Sequence, residues 1–104
     1  MIKAFDSEFA EALLGCKLLV GITYLDHSSA VKSQDQFYGI VDSVDEKIGI
    51  KISLQGSRSG ETYTLPPDTQ GIKHAPAGEY QLRATQEIVV NPDYFCSWSI
   101  TTDE

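Results

Sequence analysis

The run Phe37-Tyr-Gly-Ile-Val-Asp-Ser-Val-Asp-Glu-Lys-Ile-Gly-Ile-Lys-Ile-Ser-Leu54 constrains this chain more than any other stretch. Ile48, Ile50, Ile52 and Leu54 alternate with Gly49, Lys51 and Ser53, the period-two pattern of a strand with one buried face. The residues around Gly39 read as a preceding strand with a bend, and Asp45-Glu46-Lys47 as the polar turn between the two. A bent, glycine-bearing strand followed by a tight hairpin is how small β-barrels are built. The stretch specifies a shape and carries no reactive group.

The rest of the chain reads as short strands behind one short helix. Asp6 or Ser7 can cap a helix through Glu8 to Leu14 with Gly15 as its stop, and Phe5, Phe9, Ala12 and Leu13 recur at helical spacing. Residues 16–25 form a strand with Cys16, Leu18, Val20, Ile22 and Tyr24 on one face. Its other face, Lys17, Leu19, Gly21, Thr23 and Leu25, is not clearly polar, so the helix or a second sheet layer should cover part of it. The polar residues 26–35 read as an exposed loop. A strand over 61–65 ends at Pro66-Pro67-Asp68, because proline cannot donate to a sheet ladder. Irregular chain follows through Gly71, Pro76 and Gly78, then short strands at 79–83 and 87–90 separated by 84–86, then the turn Asn91-Pro92-Asp93. The last strand, 94–101, places Tyr94, Cys96, Trp98 and Ile100 on one face.

These pieces predict one mainly β domain over residues 1–104. A helix at about 7–14 precedes about six or seven short strands over 16–101, in a small, strongly bent antiparallel sheet closed or nearly closed into a barrel. An open meander is the competing arrangement.

Charge limits the partners. The chain has 15 acidic and 8 basic residues, a net charge of -7, and its basic residues are scattered from Lys3 to Arg83 with no adjacent pair. Polyanions are drawn in by clustered Lys and Arg, so nucleic acid and anionic membrane are poor partners, while a basic protein fits better. The N-terminus, Met1-Ile-Lys-Ala-Phe-Asp-Ser-Glu8, lacks a leader pattern, and no apolar run approaches the roughly 18 residues of a membrane span. The expectation is a cytoplasmic protein whose Cys16 and Cys96 are reduced thiols.

No catalytic set emerges. Cys16, His27, His74 and Cys96 include no pair at a zinc-ligand spacing, and Cys96 alternates in phase with Trp98 as a buried small hydrophobe does. No serine sits in a Gly-x-Ser-x-Gly elbow, and Gly56, Gly60 and Gly71 do not form a phosphate-cradling loop. Asp42, Asp45 and Glu46, and Asp26 with Asp35, lack the ordered spacing of a calcium loop and read as solvated turn residues. No cofactor, metal or catalytic residue is therefore assigned. The aromatics remain. Tyr38 is out of phase with Phe37, so one of the two must leave the core, and Tyr63 lies just before Pro66-Pro67-Asp68. Tyr38, Tyr63, Pro66, Pro67 and Asp68 are the candidate partner-contact residues, since tyrosine offers large contact area at small entropic cost.

The chain resembles a family of small, uncharacterised bacterial proteins. The matching pieces are Leu14-Gly15, residues 19–26, Gln36-Phe-Tyr-Gly39, Gly49-Ile50, Tyr63-Thr-Leu-Pro-Pro-Asp68, Gly78-Glu-Tyr-Gln-Leu-Arg83, Val90-Asn-Pro-Asp-Tyr94 and Trp98, which together span about residues 13–100. The resemblance implies a bacterial origin and no activity. A looser similarity, in the bent strand at Gly39 and the following hairpin, is to SH3-like and Sm-like small barrels; fold-level likeness of that kind carries little about function. The expectation is a non-catalytic interaction module that binds another protein through its loops or a sheet edge. Alternatives are a small-ligand protein or minor enzyme using a barrel mouth lined by Tyr24, Tyr38, Tyr63 and His74, and, third, an RNA-binding protein.

Overall fold

Alternating apolar residues at 50–54 need a partner sheet on one side and a covering layer on the other, and the computed structural model supplies both. Residues 5–83 and 85–101 are described. Met1 to Ala4, read above as part of an N-terminus without a leader, and Ala84, read as part of the break between two short strands, lie outside them.

The elements are α1 (Ser7–Leu13), β1 (Lys17–Leu25), β2 (Val31–Asp45), β3 (Gly49–Leu54), β4 (Thr62–Leu65), β5 (Ile72–His74), β6 (Glu79–Gln81), β7 (Ile88–Val90) and β8 (Tyr94–Thr101). Six strands form one sheet in the order β4-β3-β2-β1-β8-β5, and β6 with β7 makes a separate hairpin. The fold is mainly β with one short helix, as the periodicity predicts. The sheet is mixed rather than wholly antiparallel, because β8 runs parallel to β1 from Leu18↔Tyr94 to Leu25↔Thr101. Its ladder begins at β4 and ends at β5, and no described pairing joins those two edges.

The core lies on one face of this sheet. Leu18, Val20 and Ile22 of β1, Phe37 and Val41 of β2, Ile50, Ile52 and Leu54 of β3, Leu65 of β4, Ile72 of β5 and Tyr94 and Cys96 of β8 are buried there in one cluster with Leu13 of α1. Fully burying each such side chain is worth roughly 1.5–3 kcal/mol of transfer free energy. Asp6 caps α1 by accepting the Glu8 and Phe9 amides at 3.1 and 3.2 Å. Gly15 takes φ +79°, the left-handed conformation that ends a helix at little cost. The Phe9 ring then meets Tyr94 edge to face at 5.6 Å, which lays α1 over the core.

The bend in β2 has two causes. At Gly39 a Cβ would run into the Ser53 carbonyl and sit 2.6 Å from Ile52 Cγ2, so only glycine lets β3 approach this closely. A register shift between Val41 and Ser43 then brings Val44, like Val41, toward the core. The following turn forms as read, with Asp45 Oδ1 accepting the Lys47 and Ile48 amides at 2.7 and 2.9 Å. Ile48 departs from the predicted buried row: it lies in that turn, ahead of the first paired residue Gly49, and is 73% exposed.

The opposite face of the sheet is half covered. The β6–β7 hairpin lies on it, held by Lys17 Nζ donating to the Val90 carbonyl at 3.1 Å and by the Arg83 amide donating to Gln36 Oε1 at 2.9 Å. Glu87 ties the hairpin to the 3-10 turn Gly56–Arg58, accepting from the Ser57 amide at 3.0 Å and the Ser57 hydroxyl at 2.7 Å. Leu82 and Val89 are buried apart from the main cluster. This is the second layer that the apolar character of Leu19 calls for.

Candidate functional site

Three strands outrun their neighbours. β3 pairs with β2 only from Gly39 onward, and β5 pairs with β8 only at residues 94–96. Above those points β2 (31–36), β1 (21–25) and β8 (97–101) continue alone as a three-stranded tongue. Residues 31–35, expected as loop, are thus strand. They are polar because neither face of the tongue is fully buried, and ladder pairing with β1 supplies the order that sequence pattern does not. The connection shrinks to a turn in which Asp26 Oδ1 accepts the Ser28 and Ala30 amides at 2.8 and 3.1 Å and the Ser28 hydroxyl at 2.7 Å. Those bonds, the hydroxyl first, hold the Asp26 carboxyl below its ordinary value.

The two edges of the tongue differ. On the β2 edge, Arg58 reaches Asp35 at 3.1 Å and lies 5.3 Å from the centre of the Phe37 ring. That edge also carries the charges of Lys32 and Asp35. The β8 edge has neither an overhang nor a charge: Ser97-Trp-Ser-Ile-Thr101 contains no Lys, Glu, Asp, Pro or Gly. Its main-chain direction follows from two bonds. Ala75 N–H donates to the Asp93 carbonyl at 3.1 Å in the β5 register, while Val41 N–H donates to the Cys16 carbonyl at 3.0 Å, so even residues of β1 serve β2 and odd ones serve β8. By alternation, Trp98 and Ile100 bond to β1, and Ser97, Ser99 and Thr101 turn their N–H and C=O groups to the open side.

The same alternation sorts the side chains. Trp98 and Ile100 share the core face with Tyr24, and Ile100 is 38% exposed. Trp98 Nε1 is buried with no hydrogen-bond partner among the described residues. Burial pushes the neighbouring Cys96 thiol up to about 11, with the Trp98 indole opposing that shift. A thiol sulfur is a weak acceptor and leaves the indole N–H unsatisfied. Such an orphan donor costs free energy unless something completes it.

The residues singled out from the sequence do not form one patch. Tyr38 leaves the core for the outer face, and Tyr63 stays on the core face with its ring 4.8 Å from that of Phe37. Burial first, then the charges of Tyr24 and Asp35, raises the Tyr63 hydroxyl above its ordinary value against a smaller pull from Arg58. Pro66-Pro67-Asp68 is a tight turn, with the Asp68 amide donating to the Pro66 carbonyl at 2.8 Å and Asp68 Oδ1 accepting the Gln70 amide at 2.8 Å. The next residue, Thr69, is buried and accepts the Asp6 amide at 3.0 Å, so this segment is fastened to the start of α1. His74 stacks on Tyr94 at 4.6 Å, away from Tyr38 on the other face. Among the described residues no group of three or more His, Cys, Asp or Glu side chains is placed to hold a metal ion, and no helix is long and apolar enough to cross a membrane.

The residues that sequence reasoning missed are those of the β8 edge. Their only signal is a five-residue run without charge, proline or glycine near the end of an acidic chain, and such a run is ordinary until its neighbour is seen to stop short. No family model, curated protein or solved structure matches this chain.

Proposed function

We propose that the protein is a non-catalytic, cytoplasmic interaction module that takes an extended segment of another protein as an added strand on the edge of β8. The observation that supports this reading is the open, uncharged run 97–101, with the main chain of Ser97, Ser99 and Thr101 turned outward. Exposed edges are normally shortened, charged or blocked by proline. Here β5 has three residues, β4 has four and ends at Pro66-Pro67, and the β2 edge is charged; only the β8 edge among the described ones is left unprotected. Main-chain bonds would supply affinity, and Ile100, Trp98 and Tyr24 beside the edge would supply selectivity. A net charge of -7 favours a basic partner and speeds its approach. The bend at Gly39 and the hairpin after it are in keeping with the looser SH3-like and Sm-like similarity, and the family resemblance implies a bacterial origin.

The test is Ser99→Pro. The Ser99 N–H serves no ladder bond to β1, so proline there removes a donor only from the open side. Affinity capture from a bacterial extract with wild-type and Ser99→Pro baits should yield a partner held by the first and lost by the second, at unchanged melting temperature. A partner retained equally by both baits, or no specific partner at all, sinks the edge-binding reading.

A further inference from the structure

On the outer face of the tongue, where the β6–β7 hairpin stops, a half-open groove of about 500 Å³ is lined by Gly21, Thr23, Gln34, Gln36, Arg83 and Ser97, with Ile22 and Asp35 completing the lining. Its size falls in the range of small-molecule sites. Across it, Gln36, Gly21 and Ser97 form one row of the sheet and Gln34, Thr23 and Ser99 the next.

The groove is rich in free donors. The acceptor Gln36 Oε1 is used by the Arg83 amide at 2.9 Å, which leaves the Gln36 amide nitrogen to the groove. Thr23 Oγ1 takes a long contact from Gln34 Nε2 at 3.5 Å, which leaves its hydroxyl proton available. Ser97 is an exposed residue. Among the described residues the Arg83 guanidinium makes no ion pair or hydrogen bond, and the one acidic lining residue, Asp35, directs its carboxylate to Arg58 at 3.1 Å. The lining therefore presents one positive charge and several neutral donors on a chain of net charge -7.

Gly21 shapes the floor. Its φ is not in the left-handed region, and a Cβ there would meet nothing closer than Ser97 Oγ at 3.9 Å. Neither backbone strain nor packing demands glycine, so the space above it is room that a side chain could fill and does not.

We propose that this groove binds a small hydroxycarboxylate. A lone guanidinium matches one carboxylate in a bidentate fork, and the Thr23, Ser97 and Gln36 donors suit the oxygens of adjacent hydroxyls. A phosphate dianion would ask for more than the one cation that the lining holds. This site lies on the opposite face from Trp98 and Ile100 and stands apart from the strand-adding role of the edge.

The experiment titrates the isotope-labelled full chain with gluconate, with the neutral polyol sorbitol and with inorganic phosphate, at constant ionic strength, while following backbone amide shifts. Gluconate should shift Gly21, Thr23, Gln36 and Ser97 along one saturating curve, with sorbitol and phosphate weaker by about tenfold or more, the worth of one charge-assisted hydrogen bond. Arg83→Gln should weaken gluconate binding by about the same factor. Gly21→Val should block it in a chain that still folds, and Ser97→Ala provides a milder second variant. Equal curves for gluconate and sorbitol, tighter binding of phosphate, shifts spread over the whole surface, or an unchanged affinity in Arg83→Gln would each overturn the proposal.

Discussion

The base of the sheet and its tongue share three strands, yet they are held in different ways. In the base, the row Phe37–Val20–Cys96–Ile72 crosses four strands beneath α1, and the outer face carries the β6–β7 hairpin. In the tongue, Gln36–Gly21–Ser97 and the rows above it have no strand beyond them on the β8 side, and their outer face is covered only where Arg83 reaches Gln36. Strand propensity does not separate the two, since β1, β2 and β8 run through both. What separates them is what lies alongside. The base gains from apolar burial, whereas the tongue rests on main-chain ladders and on the base that anchors them, and both proposed binding sites fall in the part with least to lose by exposure.

The strongest test of this contrast is Phe37→Ala. Phe37 is 2% exposed and packs on Tyr63, so its truncation should cost about 3–5 kcal/mol in urea denaturation. A loss below about 1 kcal/mol would mean that the base is not where stability resides. Hydrogen exchange sharpens the picture within β8 itself: the amides of Ser97 and Ser99 should exchange on the order of a hundredfold faster than that of Trp98. Uniform protection along β8 would show that the edge is already covered. Next in size, Asp6→Ala should destabilise by about 1 kcal/mol through loss of two capping bonds to α1.

Acid should act more gently and in one direction. Asp26, Asp45 and Glu87 are held below their ordinary values of 3.8, 3.8 and 4.5, the first by the Ser28 hydroxyl and nearby amides, the second by the Ile48 and Lys47 amides, the third by the Ser57 and Thr85 hydroxyls and the Ser57 amide. Each therefore adds stability above those values that is lost as pH falls through the lowered ones. The urea midpoint should stay level from neutral pH to about 5 and then decline, less steeply in Glu87→Gln than in wild type. A midpoint that rises on acidification contradicts the assignment. Smallest of all, Ile100→Ser in the tongue should change stability by less than about 0.5 kcal/mol. A cost like that of Phe37→Ala would erase the distinction between the two regions.

Much of the base was legible because its signals are local. The Asp6 cap and Gly15 stop mark α1, the alternation of Leu18, Val20 and Ile22 assigns β1 its buried face, and Asp45 announces the turn before β3. The tongue was not. Lys32 to Asp35 have a loop-like composition and become strand because β1 is there to pair with them. Ile72–His74 is too short to show any period, and it is a strand only because β8 offers its first three residues. Tyr38 and Tyr63 look like one aromatic site in the sequence; the sheet sends them to opposite faces.

From its sequence alone this chain is a mainly β protein with one capped helix, strands whose apolar faces are set by residue alternation, and an acidic surface poor in reactive groups. Each of those properties depends on neighbours a few residues away. The tertiary structure decided that β8 lies parallel to β1, that the ladder begins at β4 and ends at β5, and that residues 97–101 keep an open edge beside a donor-lined groove. Those are matters of pairing between segments some 76 positions apart, as in Leu18↔Tyr94. A strand's pattern specifies which face is buried but not which other strand will lie beside it, so an edge is visible only once every partner has been placed.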